Sequence, residues 1–194
     1  MTVTTLPRQV VAGTDAAALD AIARPEAALA LWSRELDPAL RDALEGLDYA
    51  TIDDVRLDCR AGDALDGDLR AAGYDDMLAD VLGRDMAMLV ARHAALTGED
   101  RLRVRLDVIE TDSCRRFHAD YVTLRLLCTY AGPGTQWCDA DEPDAVRDVA
   151  TGSVGVFKGR LLLDPPSVLH RSPPIAATGG RRLMFVIDPC PVVP

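Results

Sequence analysis

The spacing of apolar residues changes at Gly98, and that change limits the chain to a helical part followed by a β-rich part. Before it, Leu78, Leu82, Met86, Leu89, His93 and Leu96 recur three or four positions apart. Residues so spaced share one face of a helix, so a helix is predicted over about 75–96, with Gly98 as its terminator. After it, Arg101-Leu-Arg-Val-Arg-Leu-Asp-Val108 alternates charged and apolar side chains, as a strand with one buried face does.

The same reading extends to both ends. Residues 1–14 read as loose or partly extended. Residues 15–47 are rich in Ala, Leu and Glu, with breaks at Pro25 and Pro38, and predict two or three short helices. Asp37-Pro38 suits a helix cap and first position, because proline's missing N–H has no partner to lose there. Beyond residue 120, segments 121–130, 135–138, 153–157, 160–163, 167–170 and 182–187 read as short strands, and 139–150 as an acidic loop. Many short strands at close spacing suggest a sandwich or barrel. The expected fold is a single α+β domain over 1–194, a mainly helical part (1–98) packed on a β-barrel part (99–194).

Charge and cysteine usage narrow the function classes. The net charge is -10, from 31 acidic against 21 basic residues, which disfavours nucleic-acid and anionic-membrane partners. No apolar run reaches the length of a membrane span, and the start, MTVTTLPRQVV, carries no secretion signal pattern. Five irregularly spaced cysteines argue for a reducing compartment, so the expected location is the cytoplasm.

One constellation names a chemistry: His118-Ala119-Asp120, then His170, then Arg182. Residues at i and i+2 of an extended segment point the same way, so His118 and Asp120 converge, and a distant His170 completes one face of an octahedron. Three positions stay open, which is the facial triad of non-haem Fe(II); the same set could hold Zn2+. A guanidinium such as Arg182 is suited to clamp a carboxylate through two parallel hydrogen bonds. Arg181 and Arg182 alternate in facing, and Arg182 is the one favoured for the interior.

His118-x-Asp120, His170 and Arg182-Leu-Met-Phe-Val-Ile-Asp188 resemble the double-stranded β-helix core of the 2-oxoglutarate/Fe(II) oxygenases. That resemblance implies a jelly-roll or cupin-like barrel, Fe(II) at His118, Asp120 and His170, and Arg182 on the far carboxylate of 2-oxoglutarate. The stretch after His170 looks most like aspartyl/asparaginyl β-hydroxylases, which lack the carboxylate ligand, so Asp120 fits the wider superfamily better. A second co-substrate arginine is matched nearest by Arg125, although an unbroken strand from Asp120 would turn Arg125 outward unless a bulge intervened. Over most of the chain, Cys114-x-x-x-His118-x-Asp120, Arg125-Leu-Leu-Cys-Thr-Tyr, Gly132-Pro-Gly-Thr-x-Trp137, Phe157-Lys-Gly159 and His170-Arg-Ser-Pro-Pro174 resemble bacterial domain-of-unknown-function family 1826. That family brings an association with zinc homeostasis and no activity.

The expected function is therefore a mononuclear Fe(II), 2-oxoglutarate-dependent oxygenase hydroxylating a small-molecule or protein substrate. The alternative is a non-catalytic zinc-binding protein, with Cys114 as the best extra ligand; a cupin-like isomerase or lyase ranks third. His93 reads as a core histidine, and no phosphate loop, nucleophile elbow or dinucleotide fingerprint is present. An exposed sheet edge would allow homo-oligomers.

Overall fold

The structure is a computed structural model in which residues 6–190 are described; the outermost part of the expected loose start lies outside them. The helix predicted from the apolar stripe is α3 (Asp76–Thr97). The Asp75 side chain caps it by accepting from Leu78 N, and Gly98 ends it in the left-handed region at φ 72°. Asp37 caps α1 (Pro38–Glu45) in the same way, accepting from Ala39 N. A 3-10 helix (Ala16–Ala23) and α2 (Asp66–Ala71) complete the helical elements before Gly98.

The first half is not the mainly helical part that composition predicts. It also holds β1 (Val10–Gly13), β2 (Leu29–Trp32) and β3 (Val55–Cys59). Ala27–Leu31 reads as helix because it is Ala-rich and shows no alternation. It lacks alternation because β2 sits inside the sheet with both faces covered: Leu29 packs on one side and Ala30 on the other.

The second half follows the sequence more closely, with β4 (Leu102–Ile109), β5 (Leu124–Ala131), β6 (Gln136–Asp139), β8 (Val154–Lys158), β9 (Val168–Arg171) and β10 (Arg182–Pro189). Two expectations fail. The acidic stretch expected as a loop contains β7 (Glu142–Asp148), an edge strand whose acidic residues and Pro143 face solvent. Residues 160–163 form a turn rather than a strand; Leu162 N and Leu163 N both return to Gly159 O.

Seven strands form one sheet in the order β1-β2-β8-β5-β10-β4-β3, and three form another, β7-β6-β9. Every pairing is antiparallel except β1 with β2. Alternation along β5 and β10 divides the large sheet's side chains between two cores. Leu126, Cys128, Phe185 and Ile187 face the helices, where Leu82 and Met86 of α3 also lie. Leu127, Met184, Val186 and Phe157 face the other way, with Trp137 of the smaller sheet. Each such buried side chain contributes about 1.5–3 kcal/mol relative to its exposed state. The space between the two sheets holds the polar residues that the sequence singles out.

α3 is tied to the sheet by a buried pair. Arg34 meets Asp85 through two 2.7 Å contacts, and Tyr130 Oη donates to the same carboxylate at 2.6 Å. Further along α3, His93 is fully buried, and burial lowers its pKa to about 4 against the opposing charge of Asp188. Between pH 6.5 and 4 the unfolded chain therefore binds a proton that the folded chain refuses, so stability falls as pH drops through that window. The expected loss is about 3 kcal/mol. Urea unfolding at pH 7 and pH 4.5 should show it in the native sequence and show a flatter profile in His93→Leu; equal slopes would assign acid sensitivity elsewhere.

Candidate metal centre

His118 lies outside the named strands but pairs with His170 of β9. His118 N donates to His170 O at 3.0 Å, and His170 N to His118 O at 2.9 Å. Residues that exchange both hydrogen bonds stand directly opposite with side chains on one face. The two imidazoles are accordingly 4.8 Å apart, centroid to centroid. The other side of His170 pairs with Trp137 of β6, so both rings face the interior between the sheets.

Two residues after His118, Asp120 enters the same space. His170 Nε2 is 2.9 Å from Asp120 Oδ2, and His118 Nε2 is 3.8 Å from Oδ1. One ligand atom from each of the three residues lies within 4.8 Å of the others. His118 Nδ1 is 2.8 Å from Arg116 O; placing its proton there leaves Nε2 free as a ligand.

The chain bends over 121–123 before β5 begins, and this break resolves the facing of Arg125. Arg125 points inward beside Leu127. Its Nε and Nη2 bond Asp188 at 2.7 and 2.8 Å, while Nη1 is 2.6 Å from Asp120 Oδ1. The two oxygens of Asp120 thus differ: Oδ1 is held by a guanidinium, whereas Oδ2 is buried with no aligned donor. Burial alone would raise Asp120, but nearby His170 and the charge of Arg125 outweigh it and bring the pKa to about 2. Burial also lowers His170, against the pull of Asp120, which favours the neutral ring that metals need.

A buried carboxylate oxygen beside two imidazole nitrogens suits a divalent transition ion bound on one face. Among the described residues this set comprises His118, Asp120 and His170. Cys114 is exposed on the cavity rim at φ 61° and is outside it.

Arg182 opens β10 inside the barrel and is fully buried. Its Nε donates to Pro133 O at 2.6 Å and Nη1 to Ser172 Oγ at 2.7 Å; Nη2 reaches the Thr129 and Thr135 hydroxyls at 3.2 Å. No carboxylate among the described residues contacts it, and burial lowers its pKa to about 10. Arg181 points the other way, 2.7 Å from Glu110.

A cavity of about 430 Å³ is lined by His118, His170, Arg125 and Leu127, and by Thr135, Ser172 and Met184. The last three also touch Arg182, which therefore sits one side-chain layer beneath the cavity that His118 and His170 line. Sequence reasoning missed Asp188 and Gly159. Asp188 shares the inward parity of Arg182 on one strand, and an acid at an inward position implies a cationic partner. Gly159 belongs to a Lys-Gly turn whose role only the backbone contacts reveal.

A large sheet and a small sheet enclosing a His-Asp-His group define a jelly-roll with a candidate metal centre. The dioxygenase for auxin oxidation in rice is similar in fold, with a TM-score of 0.53 and 16% identity over 92% of this chain and 81% of that one. A Pseudomonas putida prolyl-4-hydroxylase has a TM-score of 0.48 and 16% identity over 89% of this chain and 97% of its own. A full-length Neurospora crassa protein, solved in complex with alpha-KG, has a TM-score of 0.45 and 14% identity over 94% and 84%. At such an identity the rice enzyme establishes a shared fold and nothing finer. No curated protein matches the chain. The family of proteins of unknown function DUF1826 matches residues 13–188, and the chain belongs to that family. No described helix is long and apolar enough to cross a membrane.

Proposed function

We propose that this chain is a mononuclear non-haem Fe(II), 2-oxoglutarate-dependent oxygenase that hydroxylates its substrate. The observation that carries the reading is Arg182. A guanidinium buried without a counter-charge is costly, and a dicarboxylate reaching from the cavity would supply one. His118, Asp120 through Oδ2, and His170 would hold the metal on one face. When bound, Fe(II) and the 2-oxo acid together supply oxygen activation and oxidation of a C–H bond.

The chain's own residues bind and orient. Thr129, Thr135 and Ser172 fix the plane of the Arg182 fork. Arg125 keeps one Asp120 oxygen occupied and so presents the other. Leu127, Met184 and Val186 give the cavity an apolar floor that limits water near the reacting centre. Five free cysteines support a reducing, cytoplasmic setting.

The test is anaerobic loading with Fe(II) and 2-oxoglutarate, read by the visible metal-to-ligand charge-transfer band. The band is expected in the native protein and absent in His118→Ala and Arg182→Gln. Zinc affinity measured on each variant separates loss of metal from loss of co-substrate: Arg182→Gln should keep its zinc. A protein that holds zinc tightly and never develops the band would overturn the reading and leave a zinc-binding module.

A further inference from the structure

The mouth of the cavity carries guanidinium groups that the metal and 2-oxo acid do not use. One cross-strand row runs through β3, β4, β10 and β5 as Arg56, Arg105, Val186 and Leu127. All four line the cavity, and the row passes from solvent to floor: the Arg56 and Arg105 side chains are 60% and 32% exposed, whereas Val186 and Leu127 are buried. Arg125, beside the triad, is two residues from Leu127 on β5. Arg105 thus stands two strand spacings from the β5 wall, on the order of 10 Å.

Like charges directly opposite across an antiparallel pair repel. Here Asp107 and Asp54 offset the repulsion. Asp107 Oδ1 accepts from Arg56 Nε and Nη2 at 3.1 and 3.0 Å, and its Oδ2 from Arg105 Nη1 at 3.2 Å. Asp54 Oδ2 accepts from Arg56 Nη2 at 3.0 Å, and Oδ1 from Val108 N at 2.8 Å. Both oxygens of both acids are therefore engaged, and Glu110 on the same rim is paired with Arg181. Arg105, by contrast, makes one hydrogen bond among the described residues, out of the five its guanidinium can donate. A cationic ligand would find these aspartates already bonded. An anionic one would find open donors in a planar fork.

We infer that the cavity mouth is an anion subsite centred on Arg105, and that the substrate is a small organic anion bearing a carboxylate or phosphate group. As a statement about substrate it rests on the oxygenase reading. As a binding site it stands on its own geometry. The chain's net charge of -10 repels anions elsewhere on its surface, so capture would be confined to this mouth.

The experiment follows the Arg105 Nε–H resonance in zinc-loaded, 15N-arginine-labelled full-length protein, assigned by its loss in Arg105→Gln. The probes are butyrate, inorganic phosphate and neutral butyramide. Butyrate, phosphate or both should shift the resonance saturably, and butyramide should not. Fitted from the other resonances that move, Arg105→Gln should bind the same anion at least tenfold more weakly. A response to butyrate alone identifies a carboxylate subsite; a response to phosphate alone identifies a phosphate subsite. An unmoved Arg105 resonance, or unchanged affinity in Arg105→Gln, overturns the inference. Because no iron or 2-oxoglutarate is present, a missing charge-transfer band would sink the oxygenase reading without touching this result.

Discussion

Asp188→Ala is expected to weaken divalent-metal binding by about ten- to a hundredfold, although Asp188 is not one of the three proposed ligand residues. Its two oxygens hold Arg125 through Nε and Nη2, which aims Nη1 at Asp120 Oδ1. Without that grip the guanidinium is free to swing and engage both Asp120 oxygens, in competition with the metal. The Arg125 and Asp188 side chains are only 17% and 12% exposed, so removing the acid also strands a largely buried cation. Breaking such a pair costs about 3–5 kcal/mol. Zinc competition titration, with urea unfolding alongside, measures both. Metal affinity equal to that of the native protein would show that Arg125 does not act through Asp120. Asp188→Glu should recover part of the affinity, which a loss of stability alone would not predict.

Gly159→Ala should be at least as damaging. The backbone of 159–161 lies against 120–123: Gly159 N donates to Thr123 O and Arg160 N to Asp120 O, both at 2.8 Å, and Leu161 N to Val122 O at 3.2 Å. A Cβ at residue 159 would stand far inside contact distance of the Val122 carbonyl oxygen and 2.8 Å from that of Asp120. Both obstacles are backbone, so the two segments must part. The strain is worth about 1–3 kcal/mol. Displacing Asp120, a proposed metal ligand, by about 1 Å should cost roughly a hundredfold in function. Metal affinity and melting temperature should fall together. Gly67→Ala in α2, where an added Cβ meets nothing within 4 Å, is the matched control and should leave metal affinity unchanged without lowering the melting temperature. A Gly159→Ala protein with native metal affinity would mean that the 120–123 segment tolerates movement.

Much of this site was legible from residue types and short spacings. His118 and Asp120 converge because an i, i+2 relation on extended chain survives any packing. β4 and α3 were readable because each has one wet face and one dry face, which leaves a period in the sequence. β2 has no wet face and left none; β7 is almost wholly wet and read as a loop. Arg125 resisted prediction because its facing depends on the bend at 121–123, and an irregular segment has no period to read.

The sequence by itself determined the donor types, two imidazoles, one carboxylate and a guanidinium, and the alternation that turns Arg182 inward with Met184 and Val186. Those are local properties, set by side-chain chemistry and by the two-residue repeat of a strand. Only the tertiary structure decided that His118 stands opposite His170 across some fifty residues, that Asp188 steadies Arg125, and that Arg182 has no acid within reach among the described residues. Each of these is a pairing between segments distant along the chain, fixed by sheet register and by the burial of two cores rather than by any preference the residues carry alone.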